Sequence, residues 1–361
     1  MNKFTFHVVS LPHTQTTKAY SHCAYTQKVR KFCNMMSDLG HEVYLYASEE
    51  NEARVKELVT VVTKARQREL FGEYDEMHFP LLNWQASDPA WSDMNSRAVE
   101  EIKKRIQPRD FICLIGGDCQ KPIMEALPEH MSVEYGIGYV GTFAPYRVFE
   151  SYAHMHYVYG TARDDNGHFF DTVIPNYYDT EEFPLRDKRP DDPYFLFMGR
   201  LIDRKGYHIA QQVCEQLGKR LVLAGQAGPE GFSGYGEYVG AVGVERRGEL
   251  MSQAEAVFMP TTYLEPFGGV HAEAMLCGTP VITTNFGVFT ETVVNGVNGY
   301  RCDMYRDFLA AVGKVEKFSQ NKRIKIRKSA QKKFSVEIVA KQYQGYFERL
   351  STLWERGWYE I

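Results

Sequence analysis

The sequence predicts an α/β protein made of two consecutive domains, each with a parallel sheet. The chain has 361 residues, and domains of roughly 150 residues would divide it into two or three. Short buried strands alternate with amphipathic helices in both halves, which is the pattern of βαβ units. A polar stretch with several prolines, residues 184–193, separates the halves, as a linker would.

The first half opens with a complete βαβ unit. Residues 4–9 are largely apolar and predict a strand, and a polar loop follows it. Apolar residues then recur at helical spacing until Gly40, and residues 41–47 predict a second strand. Residues 111–115 predict a further buried strand that ends at a Gly-Gly pair. Such a pair at the carboxyl end of a parallel strand indicates a ligand-binding edge, although a tight turn explains it equally well.

The second half repeats this alternation. Helical patterns over residues 207–217 and 247–254 lie between short apolar runs. Four strands are predicted there, over residues 194–198, 221–224, 256–259 and 281–284. A ligand between the two domains would meet the carboxyl ends of strands from both.

Composition excludes several classes of protein. The chain is 44% hydrophobic and 24% charged, with a net charge of −4, so it is neither disordered nor strongly basic. Seven scattered cysteines without a Cys-x-x-Cys pair favour a reducing compartment. No apolar run approaches 18 residues, and the first ten residues are too short for a signal peptide. We therefore expect a cytoplasmic protein.

Two motifs in the first half are ambiguous. Gly136, Gly138 and Gly141 form a G-x-G-x-x-G string, which in a dinucleotide-binding domain opens a helix after the first strand. Here it lies in the middle of the domain and runs into Pro145, so a glycine-rich loop beside a ligand is favoured over a nicotinamide site. His154 lies two residues before another histidine, but without a third ligand nearby the pair does not predict a metal site.

The motifs of several common enzymes are missing from the sequence. The chain contains no Asp-x-Asp, no His-Glu-x-x-His, no phosphate-binding G-x-x-x-x-G-K-[ST] and no G-x-S-x-G. Metal-dependent hydrolysis, ATP hydrolysis and serine esterase activity therefore lack their usual residues. We predict neither a bound metal nor a cofactor.

The segment from Glu265 to Pro280 carries the strongest local signal. It contains a proline, two glycines and then a short helical pattern. The backbone amides of Gly268, Gly269 and Val270 at the helix start would form an anion site. Glu265 precedes this site and Glu273 lies about one turn inside the helix. Taken alone, a helix with two acidic residues is more often purely structural.

The same segment resembles a known family. Glu265 and Glu273, separated by seven residues, resemble the E-x7-E signature of retaining GT-B glycosyltransferases of the family 4 type. Three other stretches resemble family motifs in the same order: Pro175-Asn176 to Asp179; Phe197 to Gly206; and Phe334-Ser335 with the helical pattern that follows. The resemblance covers residues 173–354. The first domain resembles the family less, because its first loop lacks the usual Gly-Gly.

The resemblance implies a GT-B fold, in which two Rossmann-like domains face a central cleft and a C-terminal helix crosses back to the first domain. The acceptor-side domain would comprise residues 1–185 and the helix 335–361, and the donor domain residues 186–334. Catalytic roles are implied for Arg200, Lys205, Glu265 and one histidine, for which we choose His154 over His156 and His13. Donor-binding residues would be Arg200, Lys205, Glu265, Phe267, Gly268, Gly269, Val270 and Glu273.

The implied reaction is the metal-independent transfer of a sugar, with retained anomeric configuration, from a nucleotide diphosphate donor. A UDP-hexose is the commonest donor of such a family, and the acceptor could be a glycan, a lipid, a protein or a modified nucleobase. The alternatives are a non-catalytic nucleotide-sugar-binding relative and, less favoured, a nicotinamide oxidoreductase. A basic stretch over residues 314–333 indicates a solvated helix face or contact with an anionic surface. Its basic residues are Lys314, Lys317, Lys322, Arg323, Lys325, Arg327, Lys328, Lys332 and Lys333.

Overall fold

The structure, a computed structural model, describes residues 2–76, 78–166, 168–228 and 231–355. Within these residues the chain forms two compact units. The first comprises Met1–Glu150, Met155–Ile174 and Val339–Ile361, as far as these are described, and the second comprises Ser151–His154 and Pro175–Ile338. The second unit therefore includes one short segment from the first half of the chain.

The first unit is built on a parallel sheet. Its strands are β1 (Thr5–Val9), β2 (Glu42–Ser48), β3 (Glu57–Val62), β4 (Phe111–Leu114), β5 (Met131–Ile137), β6 (Tyr146–Phe149) and β7 (Thr172–Val173). They are ordered β3-β2-β1-β4-β5-β6-β7, and every neighbouring pair is parallel. The helices between them are α1 (Ala24–Asp38), α2 (Lys64–Phe71), α3 (Pro89–Lys103), α4 (Lys121–Glu125) and α5 (Tyr152–Ala162).

The second unit has a parallel sheet of its own. Its strands are β8 (Phe195–Met198), β9 (Leu221–Ala224), β10 (Glu237–Tyr238), β11 (Val257–Met259), β12 (Val281–Thr284) and β13 (Gly299–Cys302). The helices are α6 (Tyr207–Gln216), α7 (Val244–Gln253), α8 (Gly269–Leu276), α9 (Phe289–Thr292), α10 (Tyr305–Val315) and α11 (Gln320–Phe334). The strand order β10-β9-β8-β11-β12-β13 reverses between β8 and β11, as in a doubly wound fold.

The last helix, α12 (Val336–Ser351), joins the core of the first unit. Its Phe347 ring lies 4.6 Å from the ring of Phe6 and 4.9 Å from that of Phe111, measured between centroids. Buried aromatic residues explain why the sequence predicted an amphipathic helix here. A short 3₁₀ turn follows, and residues 356–361 of the predicted segment 335–361 lie outside the described residues.

The basic stretch over residues 314–333 is not one solvated helix face. The chain leaves α10 at Val315 and starts α11 at Gln320. Arg323 is buried and donates to the carbonyls of Ser252 and Ala254 and to the Thr279 hydroxyl. The exposed basic residues of α11 are Lys325, Lys328, Lys332 and Lys333. Part of the positive charge therefore anchors α11 instead of facing solvent.

The G-x-G-x-x-G string does not open a helix. Gly136 lies in β5 with φ 70°, and the next regular element is β6. A Cβ at Gly136 would lie 2.5 Å from the Cδ of Lys28, and one at Gly138 would lie 2.9 Å from a carboxylate oxygen of Glu150. Lys28 and Glu150 form a buried ion pair. These two glycines make room for that pair, and the geometry of a dinucleotide fingerprint is not met.

Gly206 permits a close backbone approach between two loops of the second unit. Its φ is 73°, and a Cβ there would lie 2.0 Å from the carbonyl oxygen of Pro260. We expect Gly206→Ala to lower the free energy of unfolding by at least about 3 kcal/mol, because a backbone clash adds to the ~1–2 kcal/mol of left-handed strain. Urea denaturation measures this loss.

Gly218→Ala is the matched control. Gly218 has φ 60°, but no atom of the described residues lies within 4 Å of the place that its Cβ would occupy. This variant should therefore lose only about 1 kcal/mol, the cost of strain alone. Equal losses in the two variants would show that the approach between the loops is not what requires glycine.

Candidate functional site

Most of the predicted donor-binding residues lie on two loops of the second unit. One loop follows β8 and the other follows β11, and these strands are neighbours at the point where the strand order reverses. In open α/β sheets, ligands bind outside the carboxyl ends of the strands at this point. Thr262 N, on the second loop, donates to the carbonyl of Arg204 on the first over 2.9 Å.

The loop after β8 carries the two predicted cations. Arg200 is exposed, and a 3₁₀ turn over Asp203–Lys205 leads to Gly206, which precedes α6. Lys205 is only partly exposed because the turn directs its side chain toward the loop after β11. The two cations thus differ: Arg200 faces solvent, whereas Lys205 is already in an ion pair.

Lys205 binds both oxygens of the Glu265 carboxylate. Its Nζ lies 3.1 Å from Oε1 and 2.9 Å from Oε2. The Glu265 side chain is 9% exposed, so Lys205 compensates the negative charge of the carboxylate in a place from which water is largely excluded. The Tyr263 ring lies 5.1 Å from the same Nζ. Burial raises the pKa of Tyr263, Glu265 raises it further, and the positive charges of Arg204 and Arg200 oppose this.

The start of α8 faces a small cavity. Gly268 has φ 69° and precedes the helix, whose first turn has no side-chain cap among the described residues. A Cβ at Gly268 would lie 2.7 Å from the Cγ of Glu265. Glycine therefore allows the Glu265 side chain to lie against the backbone at the start of α8. The cavity, about 50 Å³, is lined by the ends of β8 and β11, Lys205, Glu265 and the start of α8 as far as Val270.

Phe267 lies away from this cavity. It is 2% exposed, and its ring packs 5.6 Å from that of Phe334 and 5.1 Å from that of His271. The predicted donor-binding residue thus belongs to the hydrophobic core behind the loop. Its apolar side chain anchors the segment between Glu265 and Gly268 instead of lining the site.

Glu273 lies one turn inside α8, as the sequence predicted. It is 7% exposed, and its Oε2 lies 3.4 Å from the Nε of Arg247 on α7. A Cβ at Gly269 would lie 2.8 Å from the hydroxyl of Tyr178. Burial raises the pKa of Tyr178, and the Glu273 charge raises it further. Tyr178 is therefore a neutral phenol beside the start of α8.

His154 lies near the start of α5, in the short segment that belongs to the second unit. It is 3% exposed, and its amide donates to the Ser151 hydroxyl over 3.1 Å. Ser151 in turn donates to the carbonyl of Pro266 over 2.6 Å. The structure thus connects His154 to the residue after Glu265. A catalytic role for His154 stays a prediction.

Sequence reasoning missed Arg247, Tyr178 and His271. His271 is fully buried, and its Nδ1 lies 2.6 Å from the carbonyl oxygen of Gly268. Burial lowers its pKa to about 4, so at neutral pH it is uncharged and its Nδ1–H donates to that carbonyl. Its position between the two glutamates of the E-x7-E motif is a signal that the sequence offers. Only the folded structure shows which residues it packs against. Arg247 carries no such signal, because α7 is distant from α8 in sequence.

Neither a metal-binding cluster nor a membrane-spanning helix occurs in the described part of the chain. The residues described contain no group of three or more His, Cys, Asp or Glu side chains arranged to hold a metal ion. No helix within the same ranges is long and apolar enough to span a membrane.

Comparisons with known sequences match the part of the chain that carries the candidate site. Residues 179–333, which include both loops and α8, match the sequence profile of the family "Glycosyl transferases group 1". A glycogen synthase of Mycobacterium tuberculosis is 33% identical over 148 residues, which is 36% of this chain and 36% of that protein. The alignment thus spans about a third of the length of this curated relative.

Solved structures match nearly the whole chain. AviGT4, a glycosyltransferase involved in avilamycin A biosynthesis, aligns with a TM-score of 0.66 at 20% identity, over 97% of this chain and 98% of its own. HepE of Anabaena in complex with UDP-glucose aligns with a TM-score of 0.64 at 16% identity, over 96% of this chain and 99% of its own. The chain therefore has the GT-B fold, and its residues 179–333 match the glycosyl transferases group 1.

Proposed function

We propose that this protein transfers a hexose from a nucleotide diphosphate donor, most simply UDP-hexose, to an acceptor with retention of the anomeric configuration. The observation that carries the proposal is the meeting of Lys205, Glu265 and the uncapped start of α8 around one cavity. The family match and the UDP-glucose complex of HepE support a nucleotide-sugar donor.

The main task of the site would be to stabilise the leaving diphosphate. When the bond between the sugar and the diphosphate breaks, negative charge collects on the phosphate oxygens and the sugar becomes cationic. Arg200, Lys205 and the amides of Gly269 and Val270 would offer positive charge and hydrogen-bond donors to those oxygens. Such fixed groups could replace a divalent metal, so we propose a metal-independent reaction.

Lys205 would change partners when the donor binds. Its Nζ is held by Glu265. A diphosphate at the start of α8 would share this cation, and Glu265 would then accept hydrogen bonds from the sugar hydroxyls. The same carboxylate would place negative charge near the cationic sugar in the transition state. The ion pair thus keeps both groups ordered before the donor arrives.

Retention places the acceptor on the face of the sugar from which the diphosphate leaves. The bond from C1 to the phosphate oxygen breaks, and the bond from C1 to the acceptor oxygen forms. The acceptor proton can pass directly to the departing phosphate oxygen, so no protein base is required for this step. His154 would act by orienting the sugar through its connection to the loop at Pro266.

Other parts of the proposal come from the sequence alone. The acceptor remains a glycan, a lipid, a protein or a modified nucleobase, and an anionic acceptor or surface would meet the exposed lysines of α11. Seven buried free cysteines are compatible with the cytoplasmic location that we expect. The alternative is a non-catalytic nucleotide-sugar-binding relative.

A panel of nucleotide sugars tests the activity. We expect slow hydrolysis of one UDP-sugar, or of its ADP or GDP counterpart, because water can replace the acceptor. Release of nucleoside diphosphate measures it, and the rate should be unchanged by excess EDTA. Loss of the activity with EDTA and its return with Mn²⁺ would contradict the metal-free mechanism. A donor that binds tightly but is hydrolysed no faster than in buffer would favour the non-catalytic alternative.

The two cations should matter more in the transition state than in the bound donor. We expect Arg200→Ala and Lys205→Ala each to lower kcat by about 100- to 1000-fold, the scale for removing one oxyanion contact, with a smaller change in the Kd of the donor. The double variant should lose less than the product of the two single losses, because both cations serve one diphosphate.

Lys219→Ala is the matched control for these variants. Lys219 is in the same unit and forms an ion pair with Glu316 over 2.6 Å, but it lies outside the site, so kcat should stay near that of the wild type. Near-normal kcat of Lys205→Ala or Arg200→Ala at saturating donor would remove that residue from the mechanism.

A further inference from the structure

The loop that carries Glu265 lacks main-chain hydrogen bonds of its own. Within the described residues, no hydrogen bond from another backbone group reaches residues 264–267. Two side chains of this segment are held, because Glu265 pairs with Lys205 and Phe267 packs in the core. The path of the backbone between them therefore depends on a contact from elsewhere in the second unit.

Ser151 supplies that contact. It is 1% exposed and directly precedes α5, in the short segment that belongs to the second unit. Its hydroxyl accepts from the His154 amide over 3.1 Å and donates to the Pro266 carbonyl over 2.6 Å. Only the first of these hydrogen bonds is needed to cap a helix. The second reaches the main chain at the residue after Glu265.

Glu291 holds the start of α5 next to this loop. The first two amides of the helix, those of Tyr152 and Ala153, donate to its carboxylate over 3.1 Å and 2.7 Å. Hydrogen bonds from backbone amides to a carboxylate are charge-assisted, and the helix dipole adds to them. The start of α5 is therefore attached to the second unit at two points, through Glu291 and through the Ser151 hydroxyl.

The segment that leads to Glu291 lies against Glu265 itself. Gly287 is four residues before Glu291, and a Cβ at Gly287 would lie 3.6 Å from the backbone nitrogen of Glu265. The connection from Glu291 through the start of α5 to Pro266 thus returns to the loop beside which it begins. Such a closed set of contacts restricts the loop more than one hydrogen bond would.

We propose that Ser151 is a positioning residue for Glu265, and that Glu291 keeps Ser151 in place. The Ser151 hydroxyl fixes the Pro266 carbonyl, and this sets the point from which the Glu265 side chain extends toward the donor sugar. This inference rests on the proposed function, because it needs Glu265 to contact that sugar. It assigns roles to two residues that lie outside the predicted motifs and act through another residue.

A purely structural role for Ser151 predicts a different result. If the hydroxyl only caps α5, its removal lowers the melting temperature and leaves kcat unchanged in the molecules that remain folded. If it positions Glu265, its removal lowers kcat, because the carboxylate no longer meets the sugar correctly. The nucleoside diphosphate has no sugar for Glu265 to hold, so its Kd should change little. A split between kcat and this Kd therefore separates the two roles.

The experiment measures kcat for the hydrolysis of UDP-glucose and the Kd of UDP by calorimetry. We expect Ser151→Ala to lower kcat by about 10- to 100-fold, since a displacement of about 1 Å can cost about 100-fold. The Kd of UDP should stay within about twofold of the wild-type value, as for a loss confined to the transition state. A wild-type kcat in Ser151→Ala would overturn the proposal.

Glu291→Gln tests the second residue. Its amide oxygen can accept from one backbone amide of α5, but its NH₂ group cannot accept from the other. We expect the same split between kcat and the Kd of UDP, with a smaller loss of kcat. Glu291 is exposed, so this variant carries the test if Ser151→Ala does not fold, as judged by thermal melting. A wild-type kcat in Glu291→Gln would overturn the role of Glu291.

Ser319→Ala is the matched control for Ser151→Ala. Ser319 caps α11 of the same unit by accepting from the Lys322 amide over 3.3 Å. Its hydroxyl has no connection to the Glu265 loop in the part of the chain that the structure describes. We expect a lower melting temperature with the kcat of the wild type. Equal losses of kcat in the two serine variants would show that losing a cap is sufficient, and would overturn the proposal.

Failure of the proposed function has a distinct signature in the same experiment. If UDP does not bind the wild type, ADP and GDP are measured, with ADP-glucose and GDP-glucose as the donors. Absence of binding for all three diphosphates would reject the nucleotide-sugar site itself. Hydrolysis of one donor at the same rate by the wild type, Ser151→Ala and Glu291→Gln would reject only the positioning role.

Discussion

The candidate site depends on the close approach of the loops after β8 and β11. These strands are neighbours because the sheet order reverses between them, and the loops at their carboxyl ends therefore meet. Gly206 permits contact with the Pro260 carbonyl, and Thr262 N donates to the Arg204 carbonyl. Any change that separates the two loops would move Lys205 away from Glu265.

The Lys205–Glu265 pair is the electrostatic centre of this arrangement. A carboxylate that is mostly buried needs a cation, and in the structure that cation is one of the groups proposed to hold the diphosphate. The proposed donor would therefore have to share Lys205 with Glu265. The cost of weakening the Lys205–Glu265 ion pair is offset if the sugar hydroxyls then hydrogen bond to Glu265. In the proposed mechanism, donor binding and the ordering of Glu265 would thus be coupled by one ion pair.

Core residues and the proposed functional residues alternate closely within the E-x7-E segment. Phe267 and His271 point into the core, where they pack against Phe334, while Glu265 and Glu273 form ion pairs with Lys205 and Arg247. The start of the helix lines the cavity, and Gly268 and Gly269 bring no side chain there. His271, uncharged, ties the first turn of this short helix to the Gly268 carbonyl.

The sequence by itself determined the two-domain α/β fold and the two loops that carry most of the proposed donor-side residues. Alternating strands and helices depend on local periodicity, and the motifs around Arg200 and Glu265 are contiguous in the chain, so both could be recognised without coordinates. The position of Glu273 one turn inside α8 followed from the same spacing.

Tertiary structure alone decided which side chains meet. Arg247 reaches Glu273 from another helix, and Gly136 and Gly138 accommodate Lys28 and Glu150, which the sequence places far from each other. The basic stretch likewise divides between α10 and α11, and Arg323 of α11 is buried. A pattern along the chain reports period and turn chemistry, but contacts between distant residues depend on how helices pack on the sheet, which no local pattern records.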